Sequence, residues 1–176
     1  KVAEPEKRAV DVLADIQAGS IIRESSTTSS GTTQANNPGG PANIPAVFGT
    51  SSDDTLIPSV GRSALIGGLG ADNFAFVEAE RFGKRGADRI TDFNQSEGDK
   101  IVLSDTAFPN LGEIKFAVVR SKSELKQSYA SDATIIYDQR TGNLYYNGNG
   151  ATGGQGIGGL FATLNGRPRL TADDFS

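Results

Sequence analysis

The chain contains no cysteine, histidine, methionine or tryptophan. Without cysteine there is no disulfide and no thiolate chemistry, and such a composition is compatible with any redox compartment. Without histidine there is no Ser-His-Asp triad and no imidazole zinc site. Long hydrophobic runs are missing as well. No stretch approaches the roughly 20 apolar residues that a membrane helix needs, so no membrane span is expected. No N-terminal signal-peptide pattern is legible, and a chain that opens on Lys1 leaves room for an upstream part. Positive charge is in the minority, with 17 Lys and Arg against 21 Asp and Glu. That balance argues against nucleic acid or an anionic membrane as a general partner and suits a protein that binds cations.

What is present is glycine, 22 residues of it in a chain of 176, with enough Phe, Leu, Ile and Val for a modest core. The informative glycines fall in residues 49 to 75. Written in nines, that stretch reads GTSSDDTLI, PSVGRSALI, GGLGADNFA. The third line fits G-G-x-G-x-D-x-U-x at every fixed position, where U is a large apolar residue. The other two lines keep the register. Position eight carries Leu56, Leu65 and Phe74; position six carries Asp54, Ser63 and Asp72; position four carries Ser52, Gly61 and Gly70. This period is that of the calcium-binding β-helix repeat. The competing reading is a glycine-rich loop between ordinary strands, and three lines in register weigh against it.

The period has a physical basis. Six residues make a turn and three make a short strand. Glycine lets the turn adopt positive φ and bring its carbonyls together, and the residue at position eight points into the core. Two nines complete a coil, so turn 49–54 is expected to stack on turn 67–72. Asp54 and Asp72 are then expected to face each other across a gap lined with carbonyl oxygens. Calcium takes six to eight oxygen ligands of that kind. The ligand set read from the paired turns is Ser52, Asp54, Gly68, Gly70 and Asp72. Without the cation the two carboxylates repel, so calcium binding and folding are expected to be coupled. In the middle line Pro58 replaces a glycine and Ser63 replaces the aspartate, which predicts weak binding or none through that turn.

Residues 1 to 19 read as a short amphipathic helix, with Pro5 in the first turn, Val10, Leu13 and Ile16 at helical spacing, and Gly19 as a stop. Residues 24 to 46 are almost wholly Ser, Thr, Asn, Gly and Pro, a linker by composition. Beyond the repeats, FAFV continues as a strand. In DRITDF, Ile90 and Phe93 look inward. SEGDK is a turn and IVLS a buried strand.

The succession GGLGADNFAF, DRITDF, EGDKIVLS resembles the C-terminal calcium-binding domain of repeats-in-toxin proteins, and is most similar to that of serralysin-type secreted metalloproteases. The resemblance runs from about residue 49 to the end. It implies that Glu80 and Asp88 help to ligate a calcium ion at the end of the roll. Asp92 and Asp99 also match the pattern, and we read them as structural, capping turns. Val102 stands where the family has aspartate. Protease activity does not carry over, because the zinc-binding helix belongs to a different domain and this chain has no histidine. In the relatives the terminal region lies at or near the secretion signal read by the type I exporter.

Further on, SKSELKQSYA suggests a short helix capped by Ser121 or Ser123, preceded by a strand at Phe116, Val118 and Val119. Residues 133 to 147 alternate as a hairpin, with Gly142 supplying the positive φ of its turn. GGQGIG at 153–158 imitates the repeat turn without its aspartate and reads as a hairpin loop. It lacks the Lys-Ser/Thr of a phosphate loop. LFATL is a strand, and Thr171 with Asp174 three residues on can cap a helical turn.

The fold expected is therefore mainly β: a short parallel β-roll with calcium in its turns, continuing into an antiparallel β-sandwich, plus a short N-terminal helix. The expected regions are a helix over 1–23, a flexible linker over 24–46 and the roll and sandwich over 47–176. The leading functional expectation is a non-catalytic calcium-binding module of a secreted, type I exported protein, meeting the exporter through its C-terminal region. The alternative is a structural or interaction module in which residues 1–23 dock a protein partner or another copy. A glycosidase built on paired acids is disfavoured, because the clustered acids fall in the calcium pattern and no activated nucleophile is visible.

Overall fold

The computed structural model describes residues 20–23, 44–58, 61–77, 82–154 and 156–176. The expected helix over residues 1–19 and most of the expected linker lie outside these.

The repeat coils as its period dictates. β2 (Ala46–Phe48), β3 (Asp54–Ile57), β4 (Ala64–Ile66), β5 (Asn73–Phe76), β6 (Asp88–Ile90) and β7 (Lys100–Leu103) pass alternately into two sheets. β3 pairs with β5 in parallel, Thr55 opposite Asn73, and β2 pairs with β4, Ala46 opposite Ala64. Both registers advance by eighteen residues, two nines. The next coil is longer: Asn73 lies opposite Lys100 in one sheet, and Ala64 opposite Arg89 in the other. Leu56, Leu65 and Phe74, the position-eight residues, are all fully buried, as their spacing requires.

One strand departs from expectation. Ser20–Arg23, grouped by sequence with the helical segment, forms β1 and pairs in parallel with β3, Ser20 opposite Asp54. Ala46, the last residue of the segment read as a linker, belongs to β2.

The remaining chain does not form a separate antiparallel sandwich. β8 (Phe116–Val119), β9 (Ile135–Asp138), β10 (Asn143–Tyr146) and β11 (Gly159–Leu164) extend the coil's own second sheet, in the order β2-β4-β6-β11-β10-β9-β8. β9, β10 and β11 are antiparallel neighbours, whereas β11 joins β6 in parallel and β8 joins β9 in parallel. The last pairing follows from its connection, which passes through helix α1 (Lys122–Ser128), the kind of crossover that parallel neighbours need. Ser121 caps α1, its hydroxyl accepting the Glu124 N–H at 3.1 Å. Gly142 turns the β9–β10 hairpin at φ 78°. The two sheets enclose one core, and an aromatic cluster ties its two halves together. Phe161 of β11 packs on Phe76 of β5 and on Phe108 at centroid separations of 5.3 and 4.9 Å, and Phe108 meets Tyr146 at 5.3 Å. Such edge-on pairs contribute about 0.5–1.5 kcal/mol each beyond burial. Among the described residues no helix is long and apolar enough to cross a membrane.

Candidate metal centre

Turns 49–54, 67–72 and 94–99 lie in one column along an edge of the coil, each leading into a strand of the four-stranded sheet. The first two stack backbone on backbone. Leu69 donates its N–H to the Thr50 carbonyl at 3.2 Å. Gly68 has φ 102°, and a Cβ there would overlap the Thr50 carbonyl oxygen. Gly70 has φ 108°, and a Cβ there would stand 2.7 Å from the Ser52 carbonyl carbon. Only glycine allows so close an approach. Ser52, Asp54, Gly68, Gly70 and Asp72 are thus gathered at one stack of turns, as their spacing predicts.

The acids are arranged differently from the expectation. Asp54 and Asp72 do not face one another across a gap; they stand in file. The Asp72 carboxylate reaches the preceding coil, where Oδ1 accepts the Asp54 N–H at 2.9 Å. Asp99 does the same one coil on, accepting the Asp72 N–H at 2.9 Å. The Asp54 carboxylate turns back into its own turn and accepts the Thr50 N–H and hydroxyl at 2.6 and 2.8 Å. The physical reason is the parallel stack: equivalent positions in parallel strands point the same way, so equal side chains line up head to tail.

This column is buried, and among the described residues no Lys or Arg forms an ion pair with Asp54, Asp72 or Asp99. Asp54, Asp72 and Asp99 are 2%, 1% and 3% exposed. Ion pairs among the described residues form at Lys115–Asp132 and Arg140–Asp138, neither of them on the column. Burial pushes the Asp72 carboxyl up to about 6, and the neighbouring charges of Asp99, Asp54 and Asp92 push the same way against the Asp54 N–H. Burial also raises Asp99, helped by Glu97 and Asp92 and opposed by the N–H groups of Asp72 and Asn94. Two buried carboxylate oxygens, Asp54 Oδ1 and Asp72 Oδ2, accept no hydrogen bond. A buried polar atom left so costs about 1–3 kcal/mol, more when charged. No three acid, histidine or cysteine side chains converge as a metal group among the described residues. A cation here would therefore draw much of its shell from backbone carbonyls.

The third turn is closed by the protein itself. Asp99 uses both oxygens, the second accepting the Asn94 N–H at 2.8 Å. Asp92 accepts the N–H groups of Gly67 and Gly68 at 2.9 and 3.0 Å. The capping roles expected for these two acids are those observed. Asp88 lies in β6, on the other turn column, where it accepts the Ser63 N–H at 2.6 Å. Glu80 lies outside the described residues. Sequence reasoning missed two contributors. Asp53 fastens adjacent turns by accepting the Ala71 N–H at 2.8 Å. Thr50 stands where the repeat has glycine and binds Asp54 through its hydroxyl; a hydroxyl four residues before the aspartate was the available signal.

No family model, curated protein or solved structure matches this chain.

Proposed function

We propose that this chain is a non-catalytic calcium-binding module of a secreted protein, and that its coil stiffens or folds when calcium enters the acid column. The observation that carries the reading is the pair of buried carboxylate oxygens, on Asp54 and Asp72, that accept no hydrogen bond beside a close stack of glycine turns. Calcium satisfies such oxygens and tolerates the irregular shell that turns provide. It also offsets the burial that chiefly raises the Asp72 pKa, and the repulsion from Asp99, Asp54 and Asp92 that adds to it. In a calcium-poor cytoplasm the column resists closure and the chain stays competent for export; outside, millimolar calcium closes it. Secretion and a meeting with the type I exporter rest on the resemblance to the repeats-in-toxin domains. The test is a calcium titration followed by circular dichroism and thermal melting, against metal-free protein. Spectra and melting temperature that ignore calcium would remove the reading.

A second reading is supported by the open end of the coil. β1 and β2 are the outer strands of their sheets, and Phe48 on β2 is 62% exposed. In this reading residues 1–23 and that end dock a protein partner or another copy. Because β1 is part of the sheet, the discriminating variant removes residues 1–19 alone. Lost association with an intact calcium response favours this reading.

A further inference from the structure

The sequence holds three Asn–Gly pairs, beginning at Asn147, Asn149 and Asn165, and the fold treats them differently. Asparagine is among the thermally labile side chains. A following glycine has no Cβ to shield its amide nitrogen. That nitrogen can attack the asparagine Cγ when the side chain swings freely and the glycine N–H is not held. Asn147 is held. It is 1% exposed, and its Nδ2 donates to the Ala133 carbonyl at 2.9 Å, with the Gly150 and Ser131 carbonyls at 3.3 and 3.5 Å. Gly148 is wedged between Ile157 and the Tyr146 ring, where a Cβ would stand 2.8 and 2.9 Å from them. Asn149 is held as well. Its Nδ2 donates to the Gly153 carbonyl at 2.6 Å, and it packs on Gly156, where a Cβ would stand 2.7 Å from its own. Gly150 opens the 3-10 turn Gly150–Thr152 and donates its N–H to the Asn147 carbonyl at 3.4 Å.

Asn165 is the exception. It leaves β11 at the surface and is fixed through its main chain, its N–H donating to the Ile90 carbonyl at 2.9 Å. Asn165, Gly166 and Arg167 are all exposed. Among the described residues the Asn165 side chain has no hydrogen-bond partner and the Gly166 N–H has no acceptor. Gly166 lies at φ 71° with open space around it. We propose that Asn165 is a modification site at which the folded protein deamidates spontaneously, while the fold protects Asn147 and Asn149. The Gly166 nitrogen bonds to the Asn165 Cγ, the Cγ–Nδ2 bond breaks, and the side-chain nitrogen departs as ammonia with the proton of the Gly166 N–H. Water then opens the cyclic imide at either carbonyl, to aspartate or to isoaspartate. Isoaspartate carries an extra carbon in the main chain, two residues before Arg167, whose guanidinium donates to the Arg140 carbonyl of the β9–β10 turn at 3.2 Å. The product therefore adds a negative charge and loosens the tie between that hairpin and the end of β11. The inference does not rest on the calcium reading.

Peptide mapping by mass spectrometry tests the site. The full chain is held in mildly alkaline buffer, once folded and once in guanidinium chloride, with circular dichroism checking that the folded sample stays folded. Fragmentation locates the amide-to-acid mass gain and separates aspartate from isoaspartate. Asn165 should convert at about the same rate in both samples, to a mixture of the two acids. Asn147 and Asn149 should convert about tenfold or more slower in the folded sample than in the unfolded one, because each must first open locally. Asn165→Ser should abolish the early mass gain of the folded protein and leave the other two sites unchanged in guanidinium chloride. An Asn165 slowed about tenfold by folding overturns the proposal, as does earlier conversion of Asn147 or Asn149 in the folded protein. A folded Asn165→Ser variant that gains mass as fast as wild type overturns it too.

Discussion

Consider the calcium-free protein taken from pH 8 down to pH 4. Asp72 has an ordinary pKa of 3.8 in the unfolded chain and about 6 in the folded one, raised first by burial and then by Asp99, Asp54 and Asp92. The folded state therefore binds this proton more tightly than the unfolded state. Stability falls as pH rises through the window from 3.8 to about 6, and the full penalty stands above it. The difference between those two values corresponds to about 3 kcal/mol at about 1.4 kcal/mol per pH unit. The side chain is 1% exposed, so solvent screening removes little of it. Asp99 is raised for the same reason and adds in the same direction. Calcium bound at the column, as proposed, would reverse the sign, because a bound cation favours the ionised carboxylate. The assay is urea unfolding followed by circular dichroism, at pH 5 and pH 7.5, with and without calcium. Other groups also titrate over this range, so Asp72→Asn supplies the reference. Without calcium, wild type should gain about 1.4 kcal/mol relative to the variant on going from pH 7.5 to pH 5, because pH 5 lies about one unit below the folded value and still above the unfolded one. With calcium at pH 7.5, wild type should be the more stable of the two. A metal-free wild type whose pH profile parallels that of Asp72→Asn refutes the argument that the column is electrostatically strained.

Three further outcomes follow from the same geometry. Gly68→Ala must bear both a positive φ and an overlap with the Thr50 carbonyl, whereas Gly61→Ala has φ 111° and open space around it. The first should lose about 3–5 kcal/mol and the second about 1–2 kcal/mol in denaturant unfolding; equal losses would mean that the turns do not stack. Asp92→Ala removes the acceptor of two turn N–H groups, at a cost of about 1–3 kcal/mol. It also removes one of the charges that raise Asp72, so the acid transition should move to lower pH. Ser121→Ala uncaps α1 and should cost about 1 kcal/mol in thermal melts while leaving the calcium response unchanged.

What could be read from the sequence was whatever is local. The nine-residue period placed Leu56, Leu65 and Phe74 inside and set the eighteen-residue register of β3 on β5, because coil, turn and core share one repeat length. Ser121 and Gly142 marked a helix start and a hairpin turn through cap and φ requirements that act within a few residues. Pairings between distant segments were not legible. β1 lies thirty-four positions from its partner register in β3, behind a helical pattern, and β11 meets β6 across more than seventy residues. The acid file was misjudged in direction: spacing says which residues stack, but the parallel pleat decides where their side chains point. The closure of turn 94–99 by Asp99 was half legible, since its position marks it as a cap while the identity of the capped groups depends on the coil.

One sheet runs without a break from β2 to β8. A truncation after Leu103 would therefore not release a minimal repeat unit; it would strip β6 of β11 and leave Phe76 without Phe161. Grafting the repeats alone onto another protein should yield an aggregation-prone fragment with a bare strand edge, whatever metal is supplied. Engineering of this scaffold has to proceed by inserting whole eighteen-residue coils between β2 and β5, where the existing register can absorb them.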